Sequence, residues 1–183
     1  MKILVTYAGS TDPVARAADR VAKVLTGLGE EVSVLPMSRV TTLGGYETVV
    51  AGSVEQAGHW MPEAMEFVRR NQGALRKRHF AIFTLFPTWS EFKGAESRMV
   101  IMQYTAPVRA LIHPVSEGFF TGDTEREKES RPGERSKFKL SILLGILKES
   151  DHRSQAEIET WAAKLHEKLA KDSEQRAQGK KHE

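Results

Sequence analysis

Residues 2–28 read KILVTYAGSTDPVARAADRVAKVLTGL, and the fold is decided here. Lys2–Tyr7 is a short apolar run rich in β-branched residues, with the near-continuous hydrophobicity of a strand buried on both faces. Ala8-Gly9-Ser10-Thr11-Asp12-Pro13 then turns the chain sharply. Thr11 or Asp12 suits a helix N-cap, and Pro13 suits the first helical position. Val14, Ala17, Val21, Val24, Leu25 and Leu28 recur at helical spacing, so a helix runs from here to Leu28. Gly27 and Gly29 end it.

The same alternation continues downstream. Glu31–Leu35 (EVSVL) and Tyr46–Ala51 (YETVVA) read as strands. Gly52–His59 is a polar loop containing glycine. Trp60–Arg76 reads as a helix with Pro62 in its first turn and Met61, Ala64, Met65 and Val68 along one face. Phe80–Leu85 (FAIFTL) is a fourth strand and Phe86–Lys93 an aromatic loop. Ala95–Tyr104 reads as a helix, and Ala110–Phe120 as a fifth strand interrupted by Pro114. Strands alternating with helices demand a parallel sheet with right-handed crossovers. The fold class is therefore α/β, a doubly wound sheet of five parallel strands in the order 2-1-3-4-5 flanked by helices. A ligand belongs beyond the carboxyl ends of the strands, at the topological switch point.

After Phe120 the composition changes. Thr121–Arg135 (TGDTEREKESRPGER) lacks apolar side chains apart from glycine and proline, so it reads as a solvated insert. Phe138–Leu147 (FKLSILLGIL) is short and strongly apolar. Ser154–Lys171 reads as a closing amphipathic helix with Ile158, Trp161, Ala162, Leu165 and Leu169 on one side. Residues 1–171 are expected to form a single domain, with 121–149 as a polar insert plus apolar segment and 151–171 as the closing helix. Residues 172–183 are expected to be a flexible charged tail. No internal repeat is present.

Composition narrows the function classes. The chain has no cysteine, which excludes disulfides, thiolate metal sites and cysteine nucleophiles. The six histidines lack metal-binding spacing, so no metal is expected. The formal net charge is +3 with mixed signs along the chain, unlike a clustered nucleic-acid face. Arg76-Lys77-Arg78 reads as a helix C-terminus complementing its dipole. No secretory leader and no apolar run long enough to span a bilayer is visible, so a cytoplasmic protein is expected. Phe138–Leu147, with Lys137, Lys139 and Lys148 around it, has three readings: core packing, a protein partner, or a peripheral contact at the inner face of the membrane. A homo-oligomer is left open.

Three stretches resemble the flavodoxin-domain family that includes menaquinone-dependent protoporphyrinogen oxidases. They are KILVTYAGST…VARAADRVAKVL, YETVVAGSVEQAGHWMPEAMEFVRRNQGAL and GFFTGDTE…SDHRSQAEIETWAAKLHEKL. The resemblance implies FMN as cofactor and an oxidoreductase or electron carrier with a quinone acceptor. Ala8, Gly9, Ser10 and Thr11 would hold the phosphate. Ser53, Val54, Gly58 and Trp60 on one side, and Phe86, Pro87, Thr88 and Trp89 on the other, would flank the isoalloxazine ring. In such a protein the flavin carries the chemistry, and no residue stands out as a general acid or base.

Each position also has a plainer reading. Gly9-Ser10-Thr11 suits a simple strand-to-helix turn, the glycines of Gly52–Gly58 suit loop dihedrals, and Trp60 and Trp89 suit core packing. His59 is more simply a solvated polar residue than a ligand. The first loop is shorter than the family's usual pattern and carries Asp12, so it offers fewer donors and one repulsive charge to a phosphate. The alternative function is accordingly a flavodoxin-fold binding or scaffold module that has lost FMN.

Overall fold

A computed structural model of the chain describes residues 1–9, 12–86, 101–121 and 146–179. β1 (Lys2–Tyr7) lies inside the sheet, paired in parallel with β2 (Glu31–Pro36) on one side and β3 (Thr48–Gln56) on the other. β3 pairs in parallel with β5 (His79–Phe86), and β5 with β6 (Ser116–Thr121). The order is β2-β1-β3-β5-β6. The remaining strand, β4 (His59–Trp60), is a two-residue return that pairs antiparallel with the end of β3, Glu55 opposite Trp60. The five parallel strands thus run in the doubly wound order expected from the sequence.

Period-two alternation explains the layers. Ile3 and Val5 of β1, Val50 of β3, and Ala81, Phe83 and Leu85 of β5 face one way. There they meet Val14, Val21 and Leu25 of α1 (Asp12–Gly27) and Ile158, Leu165 and Leu169 near the chain end. Leu4, Val49, Ala51, Phe80 and Ile82 face the other way, onto Ala64, Phe67 and Val68 of α2 (Pro62–Arg70), Leu75 of α3 (Gln72–Leu75) and Val108 of α4 (Ala106–Leu111). Both faces are apolar because both are covered, which is why the strands read as unbroken hydrophobic runs.

The closing helix is α5 (Ile146–Gly179). Trp161 anchors it at the β6 edge. Its indole N–H donates to Ser116 Oγ at 3.0 Å, and its ring lies edge-on to Phe120 and Phe83, with centroids 5.6 and 6.3 Å away. Gly118 makes room: a Cβ there would stand 2.6 Å from the Phe120 ring and 2.9 Å from Trp161.

Several boundaries differ from the sequence reading. The third strand does not end at Ala51 but continues to Gln56, so most of the expected loop 52–59 is strand and hairpin. Trp60 lies in β4 rather than opening a helix. The helix expected over 60–76 is two pieces, broken at Asn71, whose backbone N–H and side-chain amide both donate to the Phe67 carbonyl, at 3.1 and 2.9 Å. The strand expected over 110–120 starts only at Ser116. Residues 106–111 are helical, with Val108 and Ile112 buried at helical spacing. The last helix starts before Ser154 and passes Lys171 to reach Gly179.

Arg76 and Arg78 sit at the end of α3, as the dipole reading expects. Arg78 donates to the carbonyls of Tyr46 and Ala74 at 2.8 and 2.6 Å, and Arg76 to that of Leu111 at 3.2 Å. The expected insert, residues 138–145 of the apolar segment, and most of the expected helix 95–104 lie outside the described residues. Residues 101–104 are helical.

Candidate functional site

The carboxyl end of β1 meets the middle of β3 at Ala8 and Gly52. Ala8 is buried, and its N–H donates to the Gly52 carbonyl at 2.9 Å. Gly9 follows with φ at 87°, a backbone region that favours glycine. Its N–H points across to α2 and donates to Glu63 Oε2 at 2.8 Å. Behind it stands Met61, whose sulfur would be 3.2 Å from a Cβ on Gly9. Glu63 lies in the first turn of α2, where a carboxylate complements the helix dipole. The start of α2 is itself pinned, because Met61 N–H donates to Ser53 Oγ at 3.1 Å and Ser53 Oγ–H donates to the Val54 carbonyl at 3.0 Å. The Ser53 hydroxyl is therefore engaged within the chain.

The end of β3 folds back through Glu55–Gly58. Ala57 and Gly58 have φ of 51° and 82°, and Glu55 accepts a hydrogen bond from Gly58 N–H. The hairpin delivers Trp60 inward, where it is 3% exposed and its indole N–H donates to Thr84 Oγ1 at 2.8 Å. This is the packing alternative, with the ring lodged in the core between β3, β5 and α2 rather than presented at the surface.

On the other side of the strand ends, Phe86 is buried against Tyr104 and Phe119, with centroids 5.9 and 6.3 Å away. Tyr104 also reaches the hairpin, where a Cβ on Gly58 would lie 3.5 Å from its ring. The structure thus joins two of the sequence candidates, Gly58 and Phe86, through a residue that sequence reasoning missed. The segment carrying Tyr104 is fixed by a half-buried cluster. Arg109 Nη1 donates to both Glu117 oxygens at 2.9 and 3.1 Å and to Thr105 Oγ1 at 2.6 Å, and Thr105 Oγ1–H donates to Glu117 Oε2 at 2.8 Å. Arg109 Nη2 also bonds the Met102 carbonyl.

Of the remaining candidates, Val54 is half-buried beside the Ser53 bond, and His59 is exposed on β4. Ser10, Thr11, Pro87, Thr88 and Trp89 lie outside the described residues. Among the described residues, no group of three His, Asp or Glu side chains is placed to hold a metal, and no helix is long and apolar enough to cross a membrane.

The arrangement meets FMN in part. The ring end offers aromatic side chains and a glycine turn. At the phosphate end the Gly9 N–H already holds an anion, the Glu63 carboxylate, so a phosphate fits there once that carboxylate leaves.

A flavodoxin-domain family model matches residues 3–140. The chain belongs to this family. Among solved structures, a short-chain flavodoxin associated with a non-canonical PDU bacterial microcompartment superposes with a TM-score of 0.57 at 14% identity, covering 94% of this chain and 98% of that one. A Streptococcus pneumonia flavodoxin gives 0.56 at 16% identity, with 92% and 99% covered. A Fusobacterium nucleatum flavodoxin bound to flavin mononucleotide gives 0.54 at 10% identity, with 91% and 97% covered. At these identities the likeness is one of fold. No curated protein sequence matches the chain significantly.

Proposed function

We propose that this flavodoxin-domain protein binds FMN at the carboxyl ends of β1, β3 and β5 and serves as an electron carrier or oxidoreductase. The observation that carries the reading is the Gly9 amide: at the end of the first strand, in a left-handed turn, it is aimed at an anion and holds one. That is the place where a doubly wound fold receives a ligand phosphate.

Ala8, Gly9, Ser10 and Thr11 would hold the phosphate. Ser53, Val54 and Gly58 would meet the ring edge through the backbone, since the Ser53 hydroxyl is already engaged. Phe86, with Tyr104 beside it, and Pro87, Thr88 and Trp89 would cover the ring and exclude water. When bound, FMN supplies the electron chemistry, and the chain orients it. The finer reading, protoporphyrinogen oxidation with a quinone acceptor, rests on the sequence likeness quoted above. A cytoplasmic location, and a peripheral membrane or protein contact through the apolar Phe138–Leu147 with its neighbouring lysines, are carried by the residue pattern alone.

The test is titration of the purified protein with FMN, read by flavin fluorescence and by absorbance near ~450 nm, roughly where an oxidised flavin absorbs. Saturable binding at micromolar affinity or tighter is expected. Absence of saturation defeats the reading and favours the binding module, which the burial of Trp60 already suits.

A further inference from the structure

Gly9 and Glu63 are 54 residues apart in sequence, yet the carboxylate sits 2.8 Å from the amide nitrogen. Nothing in local geometry requires this contact. The dipole of α2 is satisfied by an acid anywhere in its first turn, and the helix start is fixed independently through Met61 and Ser53. Glu63 is half-exposed, so its side chain has solvent to swing into. Met61 packs beside Gly9, its sulfur 3.2 Å from where a Cβ would stand, so no side chain larger than hydrogen fits at this turn without a shift.

We propose that Glu63 is a built-in occupant of the anion position at Gly9, which a phosphate-bearing ligand must displace. The carboxylate does in the free protein what the phosphate would do in the complex: it accepts the Gly9 N–H and places negative charge at the strand end. Two anions cannot share one amide at hydrogen-bond distance, and a displaced carboxylate nearby still repels a dianion. The consequence is selectivity in reverse. A ligand bearing a phosphate gains little over the same ligand without one, because binding exchanges one charge-assisted bond for another. The inference takes its choice of ligand from the FMN reading.

The experiment compares FMN with riboflavin, which lacks the phosphate, on the wild-type protein, Glu63→Gln and Glu63→Ala. Both changes are at a half-exposed side chain, and thermal melts establish that each variant is folded. In the wild type the two flavins should bind within about threefold of each other. In both variants FMN should tighten by about tenfold or more, while riboflavin stays within about twofold. An unchanged FMN-to-riboflavin ratio overturns the proposal.

A second arm does not need a flavin. Inorganic phosphate is titrated while the Gly9 amide resonance is followed. The Gly9 signal should shift saturably in the variants and stay fixed in the wild type. If no flavin binds any form but the variants show this shift, the FMN reading fails and the role of Glu63 stands. A Gly9 signal that ignores phosphate in all three proteins, or responds equally in all three, overturns the role of Glu63 itself.

Discussion

Gly52 is the residue on which β1, β3 and β5 close together. Its carbonyl accepts the Ala8 N–H, it pairs with Tyr7 and Phe83, and the Phe83 ring lies so close that a Cβ would stand 2.0 Å from Cζ. Phe83 is fully buried and hemmed in by Phe120 and Trp161, so its ring has no void to retreat into. Gly52→Ala should therefore cost about 3 kcal/mol through overpacking. Urea unfolding monitors the loss, and Phe83→Leu in the same chain should restore part of it. Full additivity of the two changes would show that the collision is not the cause. The sequence shows a glycine at this place but not the reason for it. A turn was the natural expectation, whereas the structure keeps the residue in a strand and uses its missing side chain for a ring from the neighbouring strand.

At the scale of elements, the parts most legible in the sequence were those whose surroundings are uniform. β1 and β5 are read from their runs of Val, Ile, Leu and Phe, β2 from its alternation and α1 from its repeat, because burial on both faces, on one face or on one stripe each leaves its own pattern. β3 outlasted its expected end because Ser53, Glu55 and Gln56 are polar, and polar residues after a glycine look like a loop. Ser53 is strand because it pairs with Thr84 of β5, and Glu55 and Gln56 are strand because β4 returns beside them. The expected strand Ala110–Phe120 takes in Ala110 and Leu111, which end a helix whose Val108 is buried four residues before Ile112, and Pro114 marks the true break before β6. Ala8, Gly9, Gly58 and Phe86 were named from the family resemblance, and the structure sets Gly9 against Glu63 and both Gly58 and Phe86 against Tyr104. Glu63 and Tyr104 were not, since each acts across a contact that sequence spacing does not encode.

The attachment of α5 to the sheet gives a prediction at the same scale. Trp161 is its bond to β6, so Trp161→Ala should destabilise the protein by about 3 kcal/mol. Hydrogen exchange should show the amides of β6 losing more protection than those of β1. Equal loss in both strands would mean that α5 acts on the sheet as a whole rather than at its edge.

At the scale of the molecule, α1 and α5 close one face together. Arg20 and Glu159 make an ion pair at 2.7 Å, and Glu30 gathers the Met1 amino group and His166 Nε2, the latter at 2.8 Å. Burial pushes the Glu30 carboxyl up, but its bonds to the Met1 ammonium and to His166 outweigh that and hold it below its ordinary value. A carboxyl depressed in the folded state stabilises the protein above its unfolded value, and that stabilisation drains as pH falls through the folded one. Glu30→Gln should therefore lower Tm at neutral pH yet flatten the further loss on acidification below about pH 5. Parallel acid curves for the two proteins would remove Glu30 from the account.

That shared face also sets an order of events during synthesis. β1 and α1 leave the ribosome well before α5, the helix that completes the cover of that face. Between the emergence of Phe86 and that of Leu169, α1 already covers Ile3 and Val5, but Phe83 waits for Trp161 of α5, for an interval on the order of ten seconds. A nascent chain of this protein carries a half-covered sheet for that interval. Any truncation that removes the turns bearing Ile158, Leu165 and Leu169 would make that passing condition permanent.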